Sequence, residues 1–137
     1  MPKVRFSTDA RTKIMSNGSN MTGLTYLASP YSHDDPSVRE ERFRLVCQVA
    51  GILMSRGLIV FSPIAHTHPI ALAGQLPLGW DYWHAYDSYF IAMSERVVVL
   101  TLDGWESSMG VRAEIEMASE MGKPVIYAGM DELGKIH

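Results

Sequence analysis

Apolar and polar positions along this chain alternate between short continuous blocks and stripes of helical period. Leu24-Thr25-Tyr26-Leu27-Ala28 is a brief apolar run, broken by Ser29-Pro30-Tyr31-Ser32. From about Ser37 to Arg56, the residues Phe43, Val46, Cys47, Ala50, Leu53 and Met54 recur at the i, i+3, i+4, i+7 spacing of an amphipathic helix. Gly57 then stops it. Leu58-Ile59-Val60-Phe61 reads as a second strand. Ser62 to about Gly79, with Pro63, Pro69 and Pro77, reads as a long loop. A helix follows from roughly Asp81 to Ser94, and Arg96 to Leu102 is an apolar run of the kind buried on both faces of a sheet. After a loop from Asp103 to Ser107, Ser108 to Lys123 reads as a third helix and Pro124 to Ala128 as a last strand.

Strands alternating with helices predict an α/β fold with a parallel sheet. Ligands of such sheets bind beyond the carboxyl ends of the strands. The Ser29 loop, the Ser62 loop, the Asp103 loop and the start of the third helix all belong there. Residues 1–22 show no periodicity and are rich in polar side chains, which predicts a flexible leader before a single domain over 23–137.

Two acids break the helical pattern. At 100° per residue, Gly110, Val111, Met117, Ala118 and Met121 fall within about 60° of Glu114. Arg112, Glu116, Ser119, Glu120 and Lys123 share the opposite face. Glu114 thus projects from the apolar stripe, where an unpaired carboxylate costs several kcal/mol. The same construction places Asp87 among Trp80, Trp83, His84, Phe90, Ile91 and Ser94. Burial tunes carboxyl reactivity, and two carboxyls in different environments are what glycosidic cleavage requires.

Length and composition narrow the classes. A chain of 137 residues with 47% hydrophobic residues supports one domain with a real core. A net charge of −3 with no basic block argues against binding a nucleic-acid polymer. No apolar run approaches the roughly 18 residues of a membrane span, and no signal-peptide pattern opens the chain, so a cytoplasmic protein is expected. The single Cys47 excludes an intramolecular disulfide. His66 and His68 would face one side only on an extended segment, and two His are too few for a metal without a third ligand; no metal or cofactor is expected. The aromatic set around Trp83 can stack a nucleobase or form a core or subunit interface. Asp103 opens a Gly turn, which gives it a structural reason beside a ligand role. Arg39, Arg42 and Arg44 form a mostly solvated face from which one could reach a phosphate.

Three segments resemble the nucleoside 2-deoxyribosyltransferase family. Tyr26-Leu27-Ala28-Ser29-Pro30-Tyr31 is similar to its first strand and loop. Asp87-x-x-x-Ile91-x-x-Ser94-Glu95-x-Val97-Val98-Val99 is similar to its acid-bearing helix and next strand, and Ser108-Met109-Gly110-Val111-Arg112-Ala113-Glu114 to its nucleophile helix. The segment Leu102 to Gly110 resembles an uncharacterised bacterial and phage branch. The resemblance implies a flavodoxin-like, Rossmann-like three-layer sandwich with a mainly parallel sheet of four or five strands. It also implies a homo-oligomer, dimer or tetramer, with shared active sites. Glu114 would attack C1′ of a nucleoside or nucleotide, Asp87 would assist the departing base, and Tyr31 would orient Glu114. Ser29, Ser32, Trp83, Asp103, Ser108 and Gly110 would contact substrate, with Ser108 and Gly110 near the sugar 5′ end. Family members place Gly two residues after the nucleophile, where this chain has Glu116; that departure leaves hydrolysis open beside transfer. The alternatives are a non-catalytic nucleotide-binding or regulatory module, an oligomeric scaffold, and NAD glycohydrolase chemistry.

Overall fold

The computed structural model describes residues 3–6, 23–77 and 79–131. Strands β1 (Lys3–Phe6), β2 (Leu24–Ala28), β3 (Ile59–Phe61), β4 (Arg96–Leu100) and β5 (Val125–Asp131) form one sheet in the order β1-β5-β4-β2-β3. The four strands β2 to β5 are mutually parallel where they pair, and β1 lies antiparallel on β5. The helices are α1 (Pro36–Ser55), α2 (Pro63–Gly74), α3 (Trp80–Met93) and α4 (Met109–Glu120). The α/β, flavodoxin-like three-layer expectation is met.

Period-two alternation in the central strands splits the core. Leu27, Val98 and Leu100 face α1, where Val46, Val49, Ala50 and Leu53 cover them. Tyr26, Ala28, Val97 and Val99 face the other way, under Ile91 of α3 and Val111 and Ala118 of α4. The five residues of β4 are all buried, as its continuous apolar run requires.

Two expectations need correction. The leader is expected to be flexible, yet Lys3–Phe6 pairs with Ala128–Asp131 as a fifth strand. The remaining leader positions lie outside the described residues. The supposed loop after Phe61 contains α2. Ser62 caps it by accepting from Ala65 N (3.1 Å), and Pro63 takes the first-turn position where its missing N–H costs nothing. Pro69 sits inside this helix and offers no N–H to the Ala65 carbonyl, which is why the segment reads as irregular.

The loop after β4 is held by Arg42 of α1. Its guanidinium donates to Ser32 O and to Asp103 O, each at 3.0 Å, so one side chain ties the loops after β2 and β4 together. Gly104 beside it has φ +89°, and an added Cβ there would come within 2.7 Å of Arg42 Nη2.

Candidate active site

The turns after β2, β3 and β4 meet the first residues of α3 and α4 around a cavity of about 340 Å³. It lies at the carboxyl ends of the parallel strands, the expected place. Eight of the nine residues expected at the site border it: Ser29, Tyr31, Ser32, Trp83, Asp87, Ser108, Gly110 and Glu114. Asp103 does not. It lies in the turn held by Arg42 and borders a separate pocket with Arg42 and Leu102.

Glu114 is 4% exposed and Asp87 is 7% exposed, as the helical wheels required. Burial pushes the Glu114 carboxyl well above the ordinary carboxylate range. The nearby Asp87 charge pushes it further, and a hydrogen bond from Tyr26 opposes both. Burial raises Asp87 to about 7. Glu114 therefore titrates in the field of Asp87. Asp87 Oδ1 and Ser29 Oγ are buried without a hydrogen-bond partner among the described residues. Both line the cavity. Each lacks the partner that a buried polar atom normally has, and a ligand in the cavity could supply it.

The tyrosine next to Glu114 is a correction. Tyr31 was expected to orient the nucleophile, but the hydroxyl that donates to Glu114 Oε2 belongs to Tyr26. Tyr26 is fully buried on β2, on the sheet face that α3 and α4 cover. Strand alternation could have found it, because Tyr26 shares a face with Val97 and Val99. Burial, the charges of Glu114 and Asp87, and the bond to Glu114 raise its own pKa well above the usual value, so it stays a donor.

Tyr31 instead pairs with His68 Nδ1 at 2.5 Å. His68 Nε2 lies 2.9 Å from Glu40 Oε2, and its ring stacks on Phe43 at 4.2 Å. His66 and His68 diverge because the segment is helical: His68 is buried at the cavity, whereas His66 is exposed and packs on Phe61 and Tyr86. Sequence reasoning missed the α2 contribution altogether. Ile64, Thr67, His68 and Ala71 line the cavity at i, i+3, i+4 and i+7. The signal was present in Ser62-Pro63, a cap followed by a first-turn proline.

The remaining contacts refine the picture. Ser108 caps α4 by accepting from Val111 N (3.2 Å), which places the helix N-terminus at the cavity rim. Trp83 Nε1 donates to Pro77 O at 2.8 Å, so its indole N–H is already used. Trp80, which the helical wheel places on the Asp87 face, also lines the cavity. Of the α1 arginines, Arg39 donates to His33 O and Arg44 pairs with Glu41, while Arg42 holds the two loops. Trp105 packs against Tyr127 and the core. Among the described residues, no group of three or more His, Cys, Asp or Glu is placed to hold a metal ion. No helix among them is long and apolar enough to cross a membrane.

Residues 23–130 match the model of a family described as a domain of unknown function, DUF1937, and the chain belongs to that family. Comparison with curated proteins gave no match.

Proposed function

We propose that this protein cleaves the N-glycosidic bond of a nucleoside or nucleotide through a covalent glycosyl-enzyme on Glu114. The observation that carries this reading is the burial of two carboxyl groups, Glu114 and Asp87, on one wall of a single cavity. A structural ion pair would set a cation beside them; here Glu114 is met by a phenol, and Asp87 has an oxygen with no partner among the described residues.

In this reading the pair carries one proton and one negative charge at the moment of reaction. Positive charge developing on the sugar draws the negative charge onto Glu114, whose Oε2 is held by Tyr26. Asp87 gives its proton to the departing base as the C1′–N bond breaks. Glu114 bonds to C1′, and water or a second base then displaces it. Two displacements give net retention at C1′. Ser29 and the N-terminus of α4 at Ser108 supply polar contacts for the sugar and its 5′ substituent, and the rings of Trp80 and Trp83 supply a stacking surface for the base. The exposed side chains of Tyr82, Tyr89 and Met93 on the outer face of α3 support the homo-oligomer that the family resemblance implies.

Chromatographic detection of free base tests the reading. The panel holds ribo- and 2′-deoxyribonucleosides and their 5′-monophosphates, each with and without an added acceptor base. Release by the wild type that is lost in Glu114→Gln is the expected result. Binding of nucleotide with no release from any member of the panel would replace the enzyme by a non-catalytic nucleotide-binding module.

A further inference from the structure

A second hydrogen-bonded chain reaches the cavity from the side opposite the two acids. Asp87 and Glu114 hang from α3 and α4, which cover one face of the sheet. Tyr31 and His68 come from the loop after β2 and from α2, on the side where α1 lies. Tyr31 Oη is 2.5 Å from His68 Nδ1, and His68 Nε2 is 2.9 Å from Glu40 Oε2.

The chain has a direction. A carboxylate can only accept, so Glu40 accepts a hydrogen bond from Nε2–H. The neutral ring then presents Nδ1 as an acceptor, and Tyr31 donates to it. Stacking on Phe43 and 95% burial keep the imidazole from turning over. Tyr31 Oη is left able to accept from whatever the cavity holds. The order is carboxylate, imidazole, hydroxyl, as in a Ser-His-Asp triad, but it ends in a phenol.

We infer that Tyr31 takes the proton of the water that hydrolyses the glycosyl-enzyme and passes its own proton to His68, with Glu40 holding the ring in the receiving tautomer. This inference rests on Glu114 as the nucleophile. The water oxygen bonds to C1′. The C1′–O bond to Glu114 breaks, and its electron pair returns to the carboxylate. One water proton moves to Tyr31 Oη, the former Tyr31 proton moves to His68 Nδ1, and the imidazolium is paired with Glu40. Asp87 need not serve here. The departing base takes its proton on a ring atom away from C1′, whereas the water attacks at C1′ itself. Tyr31 is then the catalytic residue of the second half-reaction, and His68 and Glu40 act through it.

The test compares wild type, Tyr31→Phe, His68→Gln and the double variant on the same panel of nucleosides and 5′-monophosphates. Rapid-quench chromatography follows the base, and mass spectrometry of the intact chain follows the sugar. Tyr31→Phe is expected to release the first equivalent of base within about twofold of the wild-type rate and then turn over about 10²-fold more slowly. Its chain should grow heavier by one sugar residue, and an added acceptor base should discharge it. His68→Gln should behave alike, and the double variant should be no slower than the slower single. If Tyr31→Phe does not fold, His68→Gln carries the same comparison. Equal slowing of both halves, or of neither, overturns the inference and leaves Glu114 as nucleophile. No base release by wild type overturns both.

Discussion

On one wall of the cavity two carboxyl groups are buried beside a phenol; on the other an imidazole is buried and its carboxylate partner stays in solvent. Glu114 and Asp87 are 4% and 7% exposed, whereas the Glu40 side chain is 64% exposed. The first wall is tuned by desolvation, which raises the pKa of both carboxyl groups. The second avoids that cost by leaving the charge in water and burying a ring that can be neutral, with hydrogen bonds fixing which nitrogen accepts. A site built this way can give a proton from one side and receive one on the other.

The sharpest way to break this comparison is to remove the nucleophile. Glu114→Gln keeps volume and can still accept from Tyr26, and base release is expected to fall by roughly 10⁴-fold or more, measured by chromatography. Sugar found attached to this variant would sink the assignment of the first wall. Asp87→Asn is expected to slow the first equivalent of base by about 10²–10³-fold, because only proton donation is lost. The effect should shrink for substrates whose base leaves easily without a proton.

Asp87→Asn also separates chemistry from stability. An unfolded aspartate ionises near 3.9, while in the fold Asp87 does so at about 7. Between those values the folded chain keeps a proton that the unfolded chain has released, so this group's stabilising contribution is lost as pH rises toward 7. Denaturant melts should therefore show Asp87→Asn more stable than wild type at about pH 8, by on the order of a few kcal/mol, with the gap closing toward about pH 4. A gap independent of pH would mean that the carboxyl is better solvated than its burial implies.

Tyr26→Phe probes the same wall more gently. Loss of the hydroxyl removes the one interaction that lowers the Glu114 pKa, so the rate of the first equivalent should fall about tenfold and its rise with pH should move to higher pH. Tyr31→Phe, by contrast, should act after the first equivalent, so the two phenols would divide the reaction between them. The smallest effect is expected at Pro69→Ala. It returns an N–H to α2 and should raise stability by about 1 kcal/mol with base release unchanged; a change in the second half-reaction would show that the proline sets the position of His68.

Much of the first wall was legible because helical period and charge disagree at Glu114 and Asp87, and a charge on an apolar stripe is conspicuous in any single sequence. The sheet was legible for a similar reason: Val97, Val98, Val99 and Leu100 cannot be anything but a strand buried on both faces. The second wall hid behind Pro69. A proline inside a helix erases the pattern on which the reading depends, so His68 reads as a loop residue and Tyr31 keeps only the partner that the family resemblance implies, Glu114. Tyr26 escaped for another reason. A tyrosine in a buried strand reads as core, and only the register of β2 against β4, Tyr26 beside Val97 and Ala28 beside Val99, places its hydroxyl under α4.

The antiparallel β1 has a consequence for how copies of the chain can meet. Parallel sheets end in rows of unmatched amides and carbonyls that invite strands from other molecules. Here the four-residue β1 covers Ala128–Asp131 of β5, and the opposite border, β3, is only three residues long. Among the described residues, both borders are short. Short borders of this kind disfavour continuous strand addition, so self-association of this chain is expected to proceed by helix against helix, with side-chain shape setting the partner.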